Sequence, residues 1–216
     1  ECAVFESGMS AITTVLLEFL EPGDLMIYST PLYGGTDHFI HTFLNKINVK
    51  AIGIDPDMDQ DQIKNTIATE GEGRRLKMIY LETPANPTNS IYDIEMMVNL
   101  GENFSDENHK VFVAVDNTYM GPLWQHPLSH GADFVIYSAT KYIGGHSDVI
   151  DGAVLSNHDL MKRVKSLRTF LGNMASPNTG WLLLRSLETL KVRMQQQATN
   201  AAHVAQFLGQ NSMVQK

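Results

Sequence analysis

Two short apolar runs, each followed at once by polar residues, constrain the fold of this 216-residue chain more than any other feature. Residues 111–115 read VFVAV and precede Asp116, and residues 134–137 read FVIY and precede a segment, 138–141, that reads SATK. A near-continuous apolar run of this length is typical of a β-strand that is covered on both faces, as in a parallel sheet between helices. Because open α/β sheets bind ligands beyond the carboxyl ends of their strands, Asp116 and Lys141 are predicted to lie at a ligand-binding edge.

Strand-like and helix-like segments alternate along the rest of the chain. Strands are predicted at 25–28, 49–54, 77–81 and 152–155, and helices at 7–20, 37–44, 93–103 and 160–171, with an acidic stretch at 55–62 that caps one further helix. A long helix is predicted to begin at Ser176 and to continue through residues 194–208. The alternation indicates an α/β fold with a doubly wound, mostly parallel sheet between helices. A hydrophobic content of 43% is enough for one sizeable core.

Composition excludes several classes of protein. The net charge of −8 argues against a nucleic acid or an anionic membrane as partner. The single cysteine, Cys2, excludes a disulfide framework and suits a reducing cytoplasm. No apolar run is long enough to span a bilayer. The chain also carries neither a nucleotide-binding glycine loop nor the G-x-S-x-G motif of hydrolases.

Lys141 is the first candidate for covalent chemistry. A free lysine amine is protonated at neutral pH and is a poor nucleophile, but in a partly dry pocket or bound as an imine it can react with a carbonyl group. Taken alone, a lysine after a strand is more often a plain surface residue. The acid at the end of the neighbouring run, Asp116, changes this balance. A lysine for the carbonyl and an acid for a pyridinium nitrogen are the two groups that pyridoxal 5'-phosphate (PLP) needs.

The start of the first predicted helix is a candidate anion site. Residues 7–9 read SGM, and a glycine at a helix start lets a phosphate approach backbone N–H groups where the helix dipole favours negative charge. The commoner interpretation of such a pattern is a serine N-cap on a buried helix. The hydroxyls of Ser138 and Thr140 beside Lys141 favour the phosphate interpretation.

Two loop residues are candidates for contact with a flat ring. Tyr33 stands in PLYGGT (31–36), where glycines allow close approach, and its ring could stack on a heteroaromatic ligand. Asn86 stands in ETPANPT (82–88), a loop that two prolines make stiff. Alone, Tyr33 is more simply a core or turn tyrosine, and Asn86 a turn former before a proline.

These segments together resemble the PLP enzymes of cysteine and methionine metabolism. That family comprises the cystathionine lyases and synthases, methionine gamma-lyase and O-acetylhomoserine sulfhydrylase. The matching segments are SGMSAI (7–12), PLYGGT (31–36), ETPANPT (82–88), VDNT (115–118) and SATKY (138–142), and SP (176–177) and LETLKVRM (187–194) extend the match. They occur in the family's order and near its spacings. The resemblance implies the large domain of a fold type I, aspartate aminotransferase-like enzyme that binds PLP.

The resemblance implies specific contacts with the cofactor ring. Lys141 is expected to attach the cofactor covalently and later to move protons, and Tyr33 to stack on the ring and to assist proton transfer. Asp116 is expected to keep the ring nitrogen protonated, and Asn86 to bond the ring oxygen.

The resemblance also implies how the phosphate is held. The backbone of Gly8 and Met9 and the hydroxyls of Ser138 and Thr140 are the expected contacts. Family members add a tyrosine and an arginine from the N-terminal arm of a neighbouring subunit. They hold the substrate carboxylate with an arginine of a C-terminal domain.

The activity implied is carbon–sulfur bond cleavage by elimination from a sulfur amino acid, namely cystathionine, methionine or cysteine. The alternative within the family is γ-replacement, as in cystathionine gamma-synthase or O-acetylhomoserine sulfhydrylase. Some family lyases carry a cysteine where this chain has Gly35, which weakens an assignment to methionine gamma-lyase. A different class, a cofactor-free binding protein that keeps the fold, is disfavoured by the intact Lys141, Asp116 and Tyr33.

No metal is expected, since His38 and His41 lack a third ligand in metal-binding pattern.

The chain is expected to be part of a longer protein. Residues 1–156 are interpreted as a PLP-binding large domain without its N-terminal arm, and 157–216 as a helical connector towards an absent C-terminal domain, which would leave an apolar face exposed. A chain lacking these regions is expected to be inactive or incompletely assembled. The resemblance further implies a cytoplasmic homotetramer built from dimers that share active sites.

Overall fold

The computed structural model describes residues 1–214, and their core is one mixed sheet. Its strands are β1 (Cys2–Phe5), β2 (Leu25–Ser29), β3 (Lys50–Ile54), β4 (Leu76–Glu82), β5 (Phe112–Asp116), β6 (Phe134–Tyr137) and β7 (Gly152–Leu155). Their order in the sheet is β1-β7-β6-β5-β4-β2-β3. Strands β2 to β6 run parallel to one another, and β7 is antiparallel to both β6 and β1.

This topology brings many chain segments to one edge of the sheet. Because β2, β4, β5 and β6 are parallel, the loops that follow Ser29, Glu82, Asp116 and Tyr137 all leave at the same edge. Strand β1 has the same direction, so the chain after it also enters its helix at this edge, and antiparallel β7 begins there.

Helices cover both faces of the sheet. They are α1 (Gly8–Phe19), α2 (Gly34–Phe39), α3 (Gln60–Glu70), α4 (Ile94–Asn103), α5 (Gly121–Trp124), α6 (His158–Leu171), α7 (Pro177–Leu187) and α8 (Leu190–Gly209). Side chains that accept an N–H of the first turn cap five of them: Ser7, Asp59, Asp93, Asn157 and Ser176. Asp59 lies in the acidic stretch that was predicted to cap a helix.

The run at 111–115 is covered on both faces, as predicted. Phe112 faces the helix α1 side, where its ring and that of Phe134 lie 4.8 and 4.7 Å from the ring of Phe19. Val113 faces the other side and packs in a cluster that includes Leu100 of α4. The two clusters explain why this strand has no polar face.

The structure differs from the predicted elements at several places. Strand β1 and the short helix α5 were not predicted. The helix predicted at 37–44 is α2 followed by a π-helical turn, Ile40–Leu44. The single long helix predicted from Ser176 is two helices, α7 and α8. The helical backbone is interrupted at residues 188–189, where Thr189 N bonds Ser186 O at 3.3 Å.

Within residues 1–214, no helix has both the length and the apolar character needed to cross a membrane.

Candidate active site

A cavity of about 860 Å³ lies at the shared edge of the strands. All eight residues that the sequence singled out line it: Gly8, Met9, Tyr33, Asn86, Asp116, Ser138, Thr140 and Lys141. They come from five separate loops or helix starts. The structure therefore brings the candidate amine, acid and anion site together in one space.

Lys141 lies in a tight turn directly after β6. Its backbone N–H donates to Ser138 O at 3.1 Å, and its carbonyl accepts from Gly145 N at 2.7 Å. The residue is exposed rather than buried, and its side chain lines the cavity. The turn thus presents the amine to the cavity from a fixed backbone.

The start of α1 is a capped helix whose first N–H groups remain open at the cavity. The Ser7 hydroxyl accepts from Ser10 N at 3.0 Å, as the serine N-cap interpretation predicted. Helix geometry leaves the N–H groups of Gly8 and Met9 without intrahelical acceptors. A Cβ on Gly8 would lie 2.8 Å from Ser138 Cβ, so only glycine lets the helix start approach this serine so closely. The two interpretations from sequence are therefore compatible.

The two hydroxyls of the lysine turn differ in their surroundings. Ser138 lines the cavity, and its backbone N–H is held by the Thr118 hydroxyl at 2.7 Å. The Thr140 hydroxyl donates to Asp151 O at 3.1 Å. The Thr140 N–H bonds the same carbonyl at 3.1 Å, so this oxygen keeps a donor if the hydroxyl turns towards a bound anion.

Asp116 is a buried carboxyl, 6% exposed, at the end of β5. Its Oδ1 accepts from Thr118 N at 3.0 Å, and its Oδ2 accepts from the Tyr80 hydroxyl at 3.4 Å. Burial raises the pKa of Asp116 above its ordinary value, although the bonds from Thr118 oppose this. A cationic N–H donor in the cavity would stabilise the ionised form.

Glu82 is a second buried carboxyl in the cavity, which the sequence analysis treated only as part of a loop motif. It ends β4 and stands opposite Asp116 in the register of the parallel strands. Its two oxygens accept the N–H groups of Tyr33 and Asn86. The rule that identified Asp116, an acid at the carboxyl end of a buried strand, would have identified Glu82 too.

The ring of Tyr33 is half-exposed and lies against Gly35. A Cβ at Gly35 would come within 2.8 Å of Tyr33 Cε1 and 3.0 Å of Met9 Sδ. The glycine that distinguishes this chain from some family lyases thus leaves room for the present position of the tyrosine ring.

The cavity has further lining residues that the sequence did not predict. Thr118 and Tyr119 follow β5, Tyr142 and Ile150 belong to the loop after Lys141, and Gln197 reaches the cavity from α8. Gln197 could not be predicted because its position depends on the break between α7 and α8.

The residues present fit PLP. Within residues 1–214 neither Asp116 nor Glu82 forms an ion pair, so two buried carboxyls at the cavity have no paired cation. A protonated ring nitrogen would supply the missing positive charge. At another wall, Gly8, Met9 and Ser138 offer donors to an anion, and Lys141 offers an amine. These donors match the charged ends of PLP.

The two histidines considered as metal ligands lie elsewhere. His41 Nε2 is 2.9 Å from the Tyr28 hydroxyl and 3.4 Å from Asp37 Oδ1, and His38 contacts Thr42. In the described part of the chain, no three His, Cys, Asp or Glu side chains are grouped to hold a metal ion.

Comparisons with known proteins agree over the whole chain. The family model described as "Cys/Met metabolism PLP-dependent enzyme" matches residues 1–216. A cystathionine gamma-synthase of Mycobacterium leprae is 40% identical over 205 residues, which cover 94% of this chain and 50% of that protein. A cystathionine gamma-lyase of Homo sapiens is 37% identical over 216 residues, which cover 100% of this chain and 51% of that protein.

Solved structures agree as well. The crystal structure of cystathionine gamma-lyase from Lactobacillus plantarum, complexed with L-serine, has a TM-score of 0.89 and 35% identity, and the match covers 100% of this chain and 54% of that one. The chain spans about half the length of the relatives that it matches.

Proposed function

Because the chain belongs to the Cys/Met metabolism PLP-dependent enzyme family, we propose that the whole protein is a PLP-dependent carbon–sulfur lyase. Its substrate would be a sulfur amino acid (cystathionine, methionine or cysteine), cleaved by elimination. The fold is that of the fold type I large domain, as predicted. The observation that carries the proposal is the convergence of Lys141, Asp116 and the start of α1 on one cavity.

Lys141 has two tasks in this proposal. When bound, PLP supplies a carbonyl carbon for the bond to lysine and a ring that takes up the electron pair left when the substrate loses its Cα proton. Lys141 Nζ would hold that carbon covalently in the resting enzyme, with one water released as the bond forms. Once free, Nζ acts as the base that accepts the Cα proton and as the acid that returns it towards the leaving group.

Asp116 maintains the charge of the site. Its buried carboxylate would accept a hydrogen bond from the protonated ring nitrogen and would balance its charge. Tyr33 would pack on the ring, and Asn86 would bond the ring oxygen. Both roles rest on the family resemblance and on the position of these residues at the cavity.

The phosphate site consists of four groups in this chain. The N–H groups of Gly8 and Met9 point from the positive end of α1, and the hydroxyls of Ser138 and Thr140 complete the cup. Among the described residues, no arginine lines the cavity. We therefore propose that a further phosphate contact comes from the N-terminal arm of a neighbouring subunit.

We propose the same division of the chain as the sequence analysis. Residues 1–156 form the PLP-binding large domain, and 157–216 lead towards a C-terminal domain; residues 215–216 lie outside the described part. Three large apolar side chains of this part, Trp181, Leu184 and Val192, are 59, 67 and 70% exposed. Their exposure supports the proposal that more protein covers this part in the whole molecule. We propose a homotetramer of active-site-sharing dimers in the cytoplasm, where the lone Cys2 would stay reduced.

A γ-replacement enzyme is the second candidate, favoured by the 40% identity to a cystathionine gamma-synthase. The same residues would carry the early proton transfers. The two reactions differ in the final step. In elimination, hydrolysis yields an α-keto acid and ammonia, whereas in replacement a thiol adds and yields a thioether.

The test is a side-by-side assay of the full-length protein with cystathionine, methionine, cysteine and O-acetylhomoserine. A lyase releases an α-keto acid and ammonia, whereas a replacement enzyme yields a thioether from O-acetylhomoserine and a thiol. A folded Lys141→Ala variant should lose turnover with every substrate. Turnover retained in this variant, or no product from any of the four substrates, would overturn the proposal.

A further inference from the structure

We propose that Glu82 is the positioning residue of this site, which fixes the loops of Tyr33 and Asn86 relative to Asp116 and adds a second negative charge where the cofactor's cationic end binds. The inference rests on the proposed function, since it assigns Glu82 a role in PLP binding.

The carboxylate of Glu82 joins two loops that are far apart in sequence. Its Oε2 accepts from Tyr33 N at 2.6 Å, and its Oε1 accepts from Asn86 N at 3.2 Å. Each oxygen thus serves a different loop, and each loop carries a residue expected to touch the cofactor ring. Hydrogen bonds to an ionised acceptor are stronger than neutral ones, so these two bonds are well suited to hold the loops.

The backbone of Glu82 is itself held rigidly. Glu82 N donates to the Ser29 hydroxyl at 2.8 Å, and Ser29 is fully buried in the neighbouring strand β2. The side chain therefore extends from the end of an inner strand rather than from a loop. A carboxylate on such a base can define the distance between the loops and Asp116.

Glu82 and Asp116 also form a pair of like charges. They are 7% and 6% exposed, stand opposite each other in register, and form no ion pair within residues 1–214. Burial and then the charge of Asp116 raise the pKa of Glu82, while the bonds from Tyr33 and Asn86 oppose this. Tyr80, the further titratable group at this place, is buried and its hydroxyl contacts Asp116. A cation bound at Asp116 would therefore also be favoured by Glu82.

Three substitutions separate positioning from mere structural support. Glu82→Gln keeps the size of the side chain but offers one acceptor oxygen, and its amide N–H₂ would face a backbone N–H. Glu82→Asp keeps the charge but is one methylene shorter, so it cannot reach both loops. Glu95→Gln is the matched control, since Glu95 pairs with His130 at 2.8 Å on the surface, away from the cavity.

Two readouts are needed on the full-length protein. Amide hydrogen exchange of the PLP-free protein should rise about tenfold or more at Tyr33 and Asn86 in Glu82→Gln. Titration with PLP should show a dissociation constant raised about tenfold or more and a shifted visible absorption band, with Glu95→Gln unchanged in both. Glu82→Asp should fall between wild type and Glu82→Gln, and it replaces Glu82→Gln if that variant does not fold.

The inference is overturned if folded Glu82 variants bind PLP with wild-type affinity and spectrum while only their melting temperature falls, because Glu82 would then be a structural residue alone. If the wild-type protein forms no visible band with PLP, the proposed function fails as well. The two failures are therefore distinguishable.

Discussion

Thr140 and Asp151 exchange two hydrogen bonds: the Thr140 hydroxyl donates to Asp151 O at 3.1 Å and accepts from Asp151 N at 3.0 Å. The backbone of Asp151 thereby holds a residue of the proposed phosphate site. Its carboxyl group, in contrast, is fully buried, and neither of its oxygens has a hydrogen-bond partner within the described residues. Burial raises the pKa of Asp151 to about 7. The adjacent Gly152 N–H acts to lower this pKa, although it makes no hydrogen bond to either carboxyl oxygen.

The raised pKa of Asp151 predicts a loss of stability as pH rises. Below the ordinary pKa of an aspartate both states are protonated, but between that value, 3.8, and about 7 only the unfolded state ionises. The free energy of unfolding should therefore fall across this window by on the order of 2–4 kcal/mol and stay low above it. An asparagine at 151 cannot ionise, so Asp151→Asn should be more stable than wild type near pH 8 and similar to it near about pH 4.

Calorimetric melting temperatures across this pH range check the prediction. Asp57→Asn, which removes an exposed carboxylate, serves as the control. Parallel pH profiles for wild type and Asp151→Asn would contradict a raised pKa at Asp151.

Gly8→Ala should damage the proposed phosphate site. The added Cβ would lie 2.8 and 2.9 Å from Ser138 Cβ and Oγ, so the start of α1 must move away from the lysine turn. We expect a loss of about 1–3 kcal/mol in stability and a weaker affinity for PLP. Gly180→Ala is the control, because nothing lies within 4 Å of its Cβ position and alanine is the better helix former. Unchanged PLP titration in Gly8→Ala would argue against phosphate binding at this helix start.

Arg193→Lys should loosen the loop that follows Lys141. The guanidinium donates to Tyr142 O at 2.8 Å, Ile143 O at 3.3 Å and Ser186 O at 2.9 Å, and burial lowers its pKa. A lysine cannot span three carbonyls, so we expect a loss of about 2–3 kcal/mol and faster amide exchange in residues 142–145.

The control for Arg193 is the exposed Arg185, whose distance to Asp148 is 3.7 Å. Arg185→Lys should cost well under about 1 kcal/mol, as is usual for surface ion pairs. Equal effects of the two substitutions on stability and exchange would show that Arg193 does not hold the loop after Lys141 in place.

The sequence predicted strands well where both faces are buried. The runs before Asp116 and Lys141 are apolar throughout because residues such as Phe112 and Val113 pack into opposite cores. Strand β1 was missed because it has four residues at the sheet edge, with Cys2 exposed and only Ala3 and Phe5 fully buried. Thr189 N and Arg193 both bond Ser186 O at the break between α7 and α8. The break was missed because Arg193 also bonds Tyr142 O and Ile143 O, which are remote in sequence.

The site was predictable to a similar extent. Motif segments placed all eight predicted residues at one cavity. Glu82 was overlooked although it satisfies the same rule as Asp116, because its motif was read as a stiff turn. Asp151 and Gln197 carry no local signal, since their surroundings come from segments remote in sequence.

The most direct test of the account is to locate the covalent attachment of PLP. The full-length protein is incubated with PLP, reduced with borohydride, digested and analysed by mass spectrometry. The account predicts one modified peptide, with the phosphopyridoxyl group on Lys141, and none in Lys141→Ala. A protein that carries no label, or carries it on another lysine while Lys141 stays free, would contradict the account.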